Sequence, residues 1–189
     1  MKNKFIYLFY LILSNLNIDR FFLNIQKYRA KILNLLPNFD IGDNVRIYRN
    51  VNISRHSKLK IGENTIIKEN CIIGGNIIIG KNTQILSNTK LDGTGMLIIG
   101  DNTHIGRDND IFSHYHDITK KDILVNNSIE IEQKTIIGNN VMVYSRVGIM
   151  GGVTIEDNCA IAYGSVVTKN CEKNCIYAGV PAKKIGERV

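Results

Sequence analysis

The chain has 189 residues, a net charge of +7, two prolines, four cysteines and no tryptophan. That length suits one domain with an appendage, and four scattered cysteines exclude a disulfide framework. The apolar run over residues 5–13 falls far short of the roughly 20 residues that cross a bilayer.

Residues 1–38 read as a helical arm. After the apolar run, Phe21, Phe22, Ile25, Tyr28, Ile32, Leu35 and Leu36 recur at helical spacing, with Arg20, Lys27, Arg29 and Lys31 on the other side. Pro37 ends the helix. No small-residue cleavage pattern follows the apolar run, so a cytoplasmic protein with reduced thiols is expected. Two roles for the arm stand side by side. Residues 19–36 suit a cap over the open end of a core. Residues 1–13, with Tyr7 and Tyr10 as polar tips, suit peripheral contact with an anionic inner-membrane surface. The arm holds six basic residues against Asp19, so five of the seven net positive charges lie there.

From residue 41 aliphatic residues recur at six-residue steps in successive runs: Ile41, Ile47, Ile53; Ile61, Ile67, Ile73; Ile79, Ile85, Leu91; Ile99, Ile105, Ile111; then Ile137, Val143, Ile149, Ile155, Ile161 and Val167. Six helical steps of about 100° would scatter these side chains around an axis, whereas six is a multiple of the strand period of two. A turn signature recurs with the beat: Ile41-Gly-Asp-Asn, Ile61-Gly-Glu-Asn, Ile79-Gly-Lys-Asn, Ile99-Gly-Asp-Asn, Ile137-Gly-Asn-Asn and Ile155-Glu-Asp-Asn. Gly and Asn both tolerate the left-handed backbone of a tight corner. Self-similarity at fixed period predicts a mainly β solenoid over residues 41–170, with a terminal cap and tail over 171–189.

The signatures are spaced by 20, 18, 20, 38 and 18 residues. The 38-residue interval therefore contains an inserted loop at about residues 112–130, carrying His114 and His116. Long loops on repeat scaffolds sit on the binding face, which makes this loop the first place to look for chemistry. His56 falls at a corner between Ile53 and Leu59, and His104 immediately precedes the beat residue Ile105, so both are expected to point outward. Cys71 and Cys159 each precede a beat residue by two positions, where a small buried side chain is wanted. Cys171 and Cys175 have no second pair or nearby histidine, so no zinc site is expected.

The beat, the histidine loop and the closing run Ile161-Ala162-Tyr163-Gly164-Ser165-Val166-Val167-Thr168-Lys169, with Ala178-Gly179-Val180-Pro181-Ala182-Lys183, resemble the hexapeptide-repeat acetyltransferases. Within that family the chain is most similar to the bacterial sugar O-acetyltransferases. The resemblance covers residues 41–189. It implies a left-handed parallel β-helix, an exception to the right-handed crossover rule. It also implies a homotrimer with active sites between neighbours, acetyl-CoA as donor, and a sugar or cell-surface glycan as acceptor. No metal and no nucleic-acid partner is implied.

Residue by residue, His114 matches the catalytic histidine of the family. A neutral imidazole is the usual base for a hydroxyl attacking a thioester. His116 is the second catalytic candidate, and Asp117 is placed to fix an imidazole tautomer or touch acceptor. Asn88 and Asp92 approximate the acceptor positions, while Ala162, Ser165, Thr168, Lys169 and Lys183 match the donor-binding positions. Where relatives carry a tryptophan-glycine pattern, this chain has Met142-Val143-Tyr144, so the resemblance implies either that this aromatic contact is lost or that Tyr144 supplies it.

The alternatives are an amino-sugar or nucleotide-sugar N-acetyltransferase on the same fold, a zinc hydratase of the γ-carbonic-anhydrase type, and a non-catalytic assembly surface. The hydratase needs three histidines, and Ile118 or Thr119 stands where the third is expected. The loop histidines argue against an assembly surface. Acceptor identity stays open among hexose, amino sugar, sialic acid, polymer and antibiotic.

Overall fold

Two-residue strands joined by four-residue corners fold this chain into a three-sided coil, because each strand contributes one inward aliphatic side chain and one outward residue. The structure, a computed structural model, describes residues 2–16, 24–117 and 130–189. All eighteen beat residues are buried, from 7% exposure at Ile41 to none at Ile105. The result is a parallel β-solenoid of about six turns with two helices at its N-terminal end.

Face one comprises β1 (Phe39–Ile41), β4 (Lys58–Ile61), the second half of β6 (Ile72–Ile79), the second half of β8 (Lys90–Ile99), β13 (Thr135–Ile137) and β16 (Thr154–Ile155). Face two comprises β2 (Arg46–Ile47), β5 (Ile66–Ile67), β7 (Gln84–Ile85), β9 (His104–Ile105), β14 (Met142–Val143), β17 (Ala160–Ile161) and β19 (Cys175–Ala178). On face three, β3 (Asn52–Ile53) is followed by the first halves of β6 and β8, then by β10 (Asp110–Ile111), β15 (Gly148–Ile149) and β18 (Val166–Val167). β6 and β8 run unbroken through the third corner and so join faces one and three into one sheet. Past residue 170 the coil continues, since β19 pairs in parallel with β17 and β20 (Lys183–Glu187) folds back antiparallel on β19. The segment assigned to a cap over 171–189 is thus a last strand of face two plus a hairpin.

The corners explain the turn signature. Its final asparagine adopts the left-handed conformation in every copy: Asn44, Asn64, Asn82, Asn102, Asn140 and Asn158 have φ between 52° and 60°. The glycine two positions earlier answers a different need. A Cβ on Gly62 would lie 2.5 Å from the backbone N of Lys81, and one on Gly100 2.7 Å from the carbonyl carbon of Gly138. These glycines are required by the close approach of the next coil, not by a left-handed backbone. Asparagine amides then tie successive coils, as in Asn50 to Asn70 (3.2 Å), Asn70 to Asn88 (3.1 Å) and Asn140 to Asn158 (2.8 Å). The thiols of Cys71 and Cys159 are buried as expected, and burial pushes the Cys71 thiol up to about 11.

The arm forms α1 (Lys2–Asn15) and α2 (Ile25–Leu33). Asp19, Arg20, Phe21 and Phe22 lie outside the described residues. Both helices pack at the first coil, where Leu33 and Tyr10 are fully buried. Tyr10 Oη donates to the Val51 carbonyl at 2.7 Å, Tyr7 Oη to the Ile53 carbonyl at 2.7 Å, and Ser14 Oγ to the Val51 carbonyl at 3.2 Å. The two phenols expected to serve as polar tips at a membrane therefore face the solenoid. Arg29, expected on the polar side of its helix, is buried as well. Its Nε donates to the Leu13 carbonyl at 3.0 Å and its Nη2 to the Leu16 carbonyl at 3.1 Å, satisfying acceptors that the end of α1 leaves without helical partners. Arg29→Met should therefore cost about 2–3 kcal/mol and lower the apparent melting temperature by roughly 5–10 °C. Tyr10→Phe, which removes one neutral hydrogen bond, should cost about 1 kcal/mol in the same thermal scan.

Candidate active site

The eight-residue gap between Leu91 and Ile99 is two longer than the beat, and the surplus is thrown out as Asp92-Gly93-Thr94-Gly95-Met96, with Met96 at φ 93°. Asp92 Oδ1 accepts from the Thr94 amide at 3.0 Å and from the Thr94 hydroxyl at 2.7 Å, an Asx turn that fixes the carboxylate. Ser113, fully buried on the next coil, braces this bulge: its Oγ donates to the Asp92 carbonyl and accepts from the Gly95 amide, both at 2.9 Å.

Immediately after Ser113 the chain leaves the solenoid as an antiparallel ribbon of β11 (His114–His116) and β12 (Glu130–Glu132). The expected loop thus has a two-stranded base, and residues 118–129 lie outside the described residues. His114 is set over the third corner of the following coil. A Cβ on Gly151 would lie 2.7 Å from both the backbone N and O of His114. The bulge and the ribbon bring His114 Nδ1 to 3.4 Å from Asp92 Oδ1, with the two side chains 19% and 20% exposed. At that separation the pair makes an electrostatic contact and no aligned hydrogen bond. The His114 ring packs edge-on against Phe112 and His116, each with centroids 6.0 Å apart. Lys90 stands 5.4 Å from the centre of the Phe112 ring.

Burial pushes the Asp92 carboxyl up, but the two Thr94 hydrogen bonds, with His114 and Lys90 nearby, outweigh it and hold the group below its ordinary value. Asp92 is therefore a fixed negative charge beside an imidazole. Such a pair can hold the proton on Nδ1, leave a lone pair on Nε2 and stabilise the imidazolium that forms when Nε2 takes a proton.

The other expected residues divide between two edges of the prism. Thr168 and Lys169, both exposed, stand on the His114 edge, one coil past Gly151. Asn88, Tyr144 and Ala162 stand on the edge after face two, so the structure does not bring them to His114 within one subunit. The Asn88 amide accepts from Asn70 at 3.1 Å and donates to Asp108 at 2.9 Å, within the corner ladder. Ser165 is fully buried, its Oγ accepting from the Gly179 amide at 3.2 Å, and so shapes the last corner from inside. Lys183 is exposed on β20; His116 is exposed and Asp117 half-buried beside it. His56 is exposed and accepts from Arg55 Nε at 2.9 Å, whereas His104 is half-buried and its imidazole is lowered by that burial. Among the described residues no three His, Cys, Asp or Glu side chains converge as metal ligands. Thr94, Ser113 and Gly151 escaped the sequence reading, although the overlong gap after Leu91 marked the bulge.

The sequence profile described as bacterial transferase hexapeptide (six repeats) matches residues 58–93 and 134–169, on either side of the histidine loop. The chain carries the hexapeptide repeat of bacterial transferases on both sides of that loop and is similar to the hexapeptide-repeat acetyltransferases. Among relatives of this hexapeptide-repeat chain, the galactoside O-acetyltransferase of Escherichia coli K12 is 53% identical over 51 residues, covering 27% of this chain and 25% of that enzyme. Curated relatives are matched over a quarter to about half of their own length. Among solved structures, a galactoside acetyltransferase in complex with coenzyme A is 25% identical, with a TM-score of 0.63, covering 98% of this chain and 78% of that one. The N-acyltransferase AntD from Bacillus cereus, as a point mutant in complex with dTDP and coenzyme A, is also 25% identical, with a TM-score of 0.73, covering 79% and 84%. The solenoid has the left-handed β-helix fold of these acetyltransferases.

Proposed function

We propose that this chain transfers an acetyl group from acetyl-CoA to a hydroxyl of a sugar or cell-surface glycan, with His114 as general base. The observation that carries the proposal is the His114–Asp92 pair, held at the base of the loop by the Asp92-Thr94 turn, Ser113 and Gly151. His114 Nε2 takes the acceptor proton as the oxygen attacks the thioester carbonyl. The thiolate then leaves, takes that proton from the imidazolium, and departs as free CoA while the acetyl ester remains on the acceptor. Asp92 holds the imidazolium between these two transfers. Asp117 and His116, on the same ribbon, would touch the acceptor. Coenzyme A in two structural neighbours supports the donor, and the galactoside enzyme supports a sugar acceptor.

The division of the site between two edges favours a homotrimer, in which a neighbour's Asn88, Tyr144 and Ala162 edge would face His114. Thr168 and Lys169 would then line the donor groove, with Lys169 and Lys183 as point charges for the CoA phosphates. Lys169→Glu should raise the Michaelis constant for acetyl-CoA about tenfold and leave that for the acceptor near its original value. An effect confined to the acceptor would move the groove elsewhere.

A second reading, N-acylation of an amino sugar, is favoured by the likeness to AntD. Incubation of the full chain with acetyl-CoA and a panel of neutral sugars, amino sugars and glycans, reading thiol release and product mass, separates the two. Ester products support the first reading and amide products the second. Thiol release no faster than in the acceptor-free control, across the panel, overturns both.

A further inference from the structure

The hydrogen bonds that seat α1 on the solenoid also fix which side of the helix turns outward. With Tyr7, Tyr10 and Ser14 held to the Val51 and Ile53 carbonyls, the opposite side carries Phe5, Leu8, Phe9 and Ile12, exposed from 69% at Phe5 to 51% at Ile12. These positions follow the i, i+3, i+4, i+7 rule of one helical face, so they form a continuous stripe. At about 100° per residue, Lys2 falls on one flank of the stripe and Lys4 on the other. Both are exposed. On the Lys4 side, Arg55 and His56 of the first coil join Lys4 around a cavity of about 160 Å³. Neither α1 nor α2 contains an acidic residue.

We propose that this face is a membrane-surface anchor: the stripe enters the interface of an anionic bilayer while Lys2, Lys4 and Arg55 meet lipid phosphates. The helix is too short to cross, and no described helix is long and apolar enough to span a membrane, which leaves an orientation in the plane of the interface. Four large apolar side chains on one face between basic flanks match what such an interface takes up. Acetyl transfer is not needed for the anchor, so the two proposals stand or fall separately.

The test is co-sedimentation of the full chain with vesicles of neutral phosphatidylcholine and with vesicles containing about one-third phosphatidylglycerol. Binding to the anionic vesicles is expected, weakening as salt is raised. Phe5→Ser/Phe9→Ser, at exposed sites away from the Tyr7 and Tyr10 anchors, should lower the partition coefficient about tenfold or more. The charge variant Lys2→Glu/Lys4→Glu should lower it by a similar factor on anionic vesicles. The proposal is overturned if the wild-type chain ignores anionic vesicles at low salt, or if the stripe variant, with unchanged circular dichroism, binds as well as wild type. A change in oligomer mass on mutating the stripe, without vesicles, would assign the face to a second copy and overturn it equally.

Discussion

Replacing His114 by alanine is expected to lower the turnover of acetyl transfer about 10²-fold or more, with the melting temperature and donor affinity retained. The imidazole makes no hydrogen bond through Nδ1 that the change would break; activity near wild type would remove His114 from the chemistry. His116→Ala should cost less, since its ring is exposed and His114 lies between it and Phe112; a larger loss there would exchange the two roles. Asp92→Asn should fall between them. Because the Asp92 carboxyl is depressed, it stays ionised at and above its ordinary range, and its contribution is lost only as pH falls through the lower folded value. The ratio of wild-type to Asp92→Asn activity should accordingly be free of any step from Asp92's own titration between about pH 6 and 9.

Gly151→Ala should be almost as damaging to turnover without touching any ionisable group. The added methyl would meet the N and O of His114 at 2.7 Å and its carbonyl carbon at 2.9 Å, all backbone atoms, so the root of the ribbon has to move. If His114 is the base proposed above, a displacement approaching 1 Å would cost about 10²-fold. Gly148→Ala, on the preceding strand, supplies the control: its nearest contacts are Val166 methyls at 3.9 Å, and the change should be tolerated. If both variants turn over at the wild-type rate, the placement of His114 over this corner has no bearing on catalysis.

The beat was readable because a period of six forces the same inward choice at every strand, and no tertiary information is needed to see it. Every residue from Ile41 to Val167 on that beat is buried. The corner glycines were found for an incomplete reason. Their spacing shows in the sequence, but the close approach that excludes a Cβ depends on how coils stack. At the site, His114 announced itself by breaking the beat, whereas its bracing by Ser113 and Thr94 depends on the path of an eight-residue gap that composition cannot trace. The arm shows the limit most plainly. Residues 5, 8, 9 and 12 and residues 6, 7, 10 and 11 are both apolar helical faces, so periodicity alone does not say which one meets the solenoid. The choice was made by the hydroxyls of Tyr7, Tyr10 and Ser14, which find coil carbonyls to bond. Arg29 was misplaced for the same reason, since its partners belong to the end of another helix.

The stacking of whole coils also makes the solenoid a ruler. Ile53, beside which α1 is seated, pairs with Ile73, Ile73 with Leu91, and Leu91 with Ile111, which leads into His114. Three inter-strand spacings put the strand that feeds the histidine about 14 Å above the helical base. Because corner asparagines hand their amides from one coil to the next, a coil such as residues 61–78 is a unit of height that can be removed or duplicated while the ladder closes on itself. Each such change would move the His114 imidazole by about 5 Å relative to whatever surface the base rests on, and rotate little else. The number of coils then sets the height of His114 above that surface.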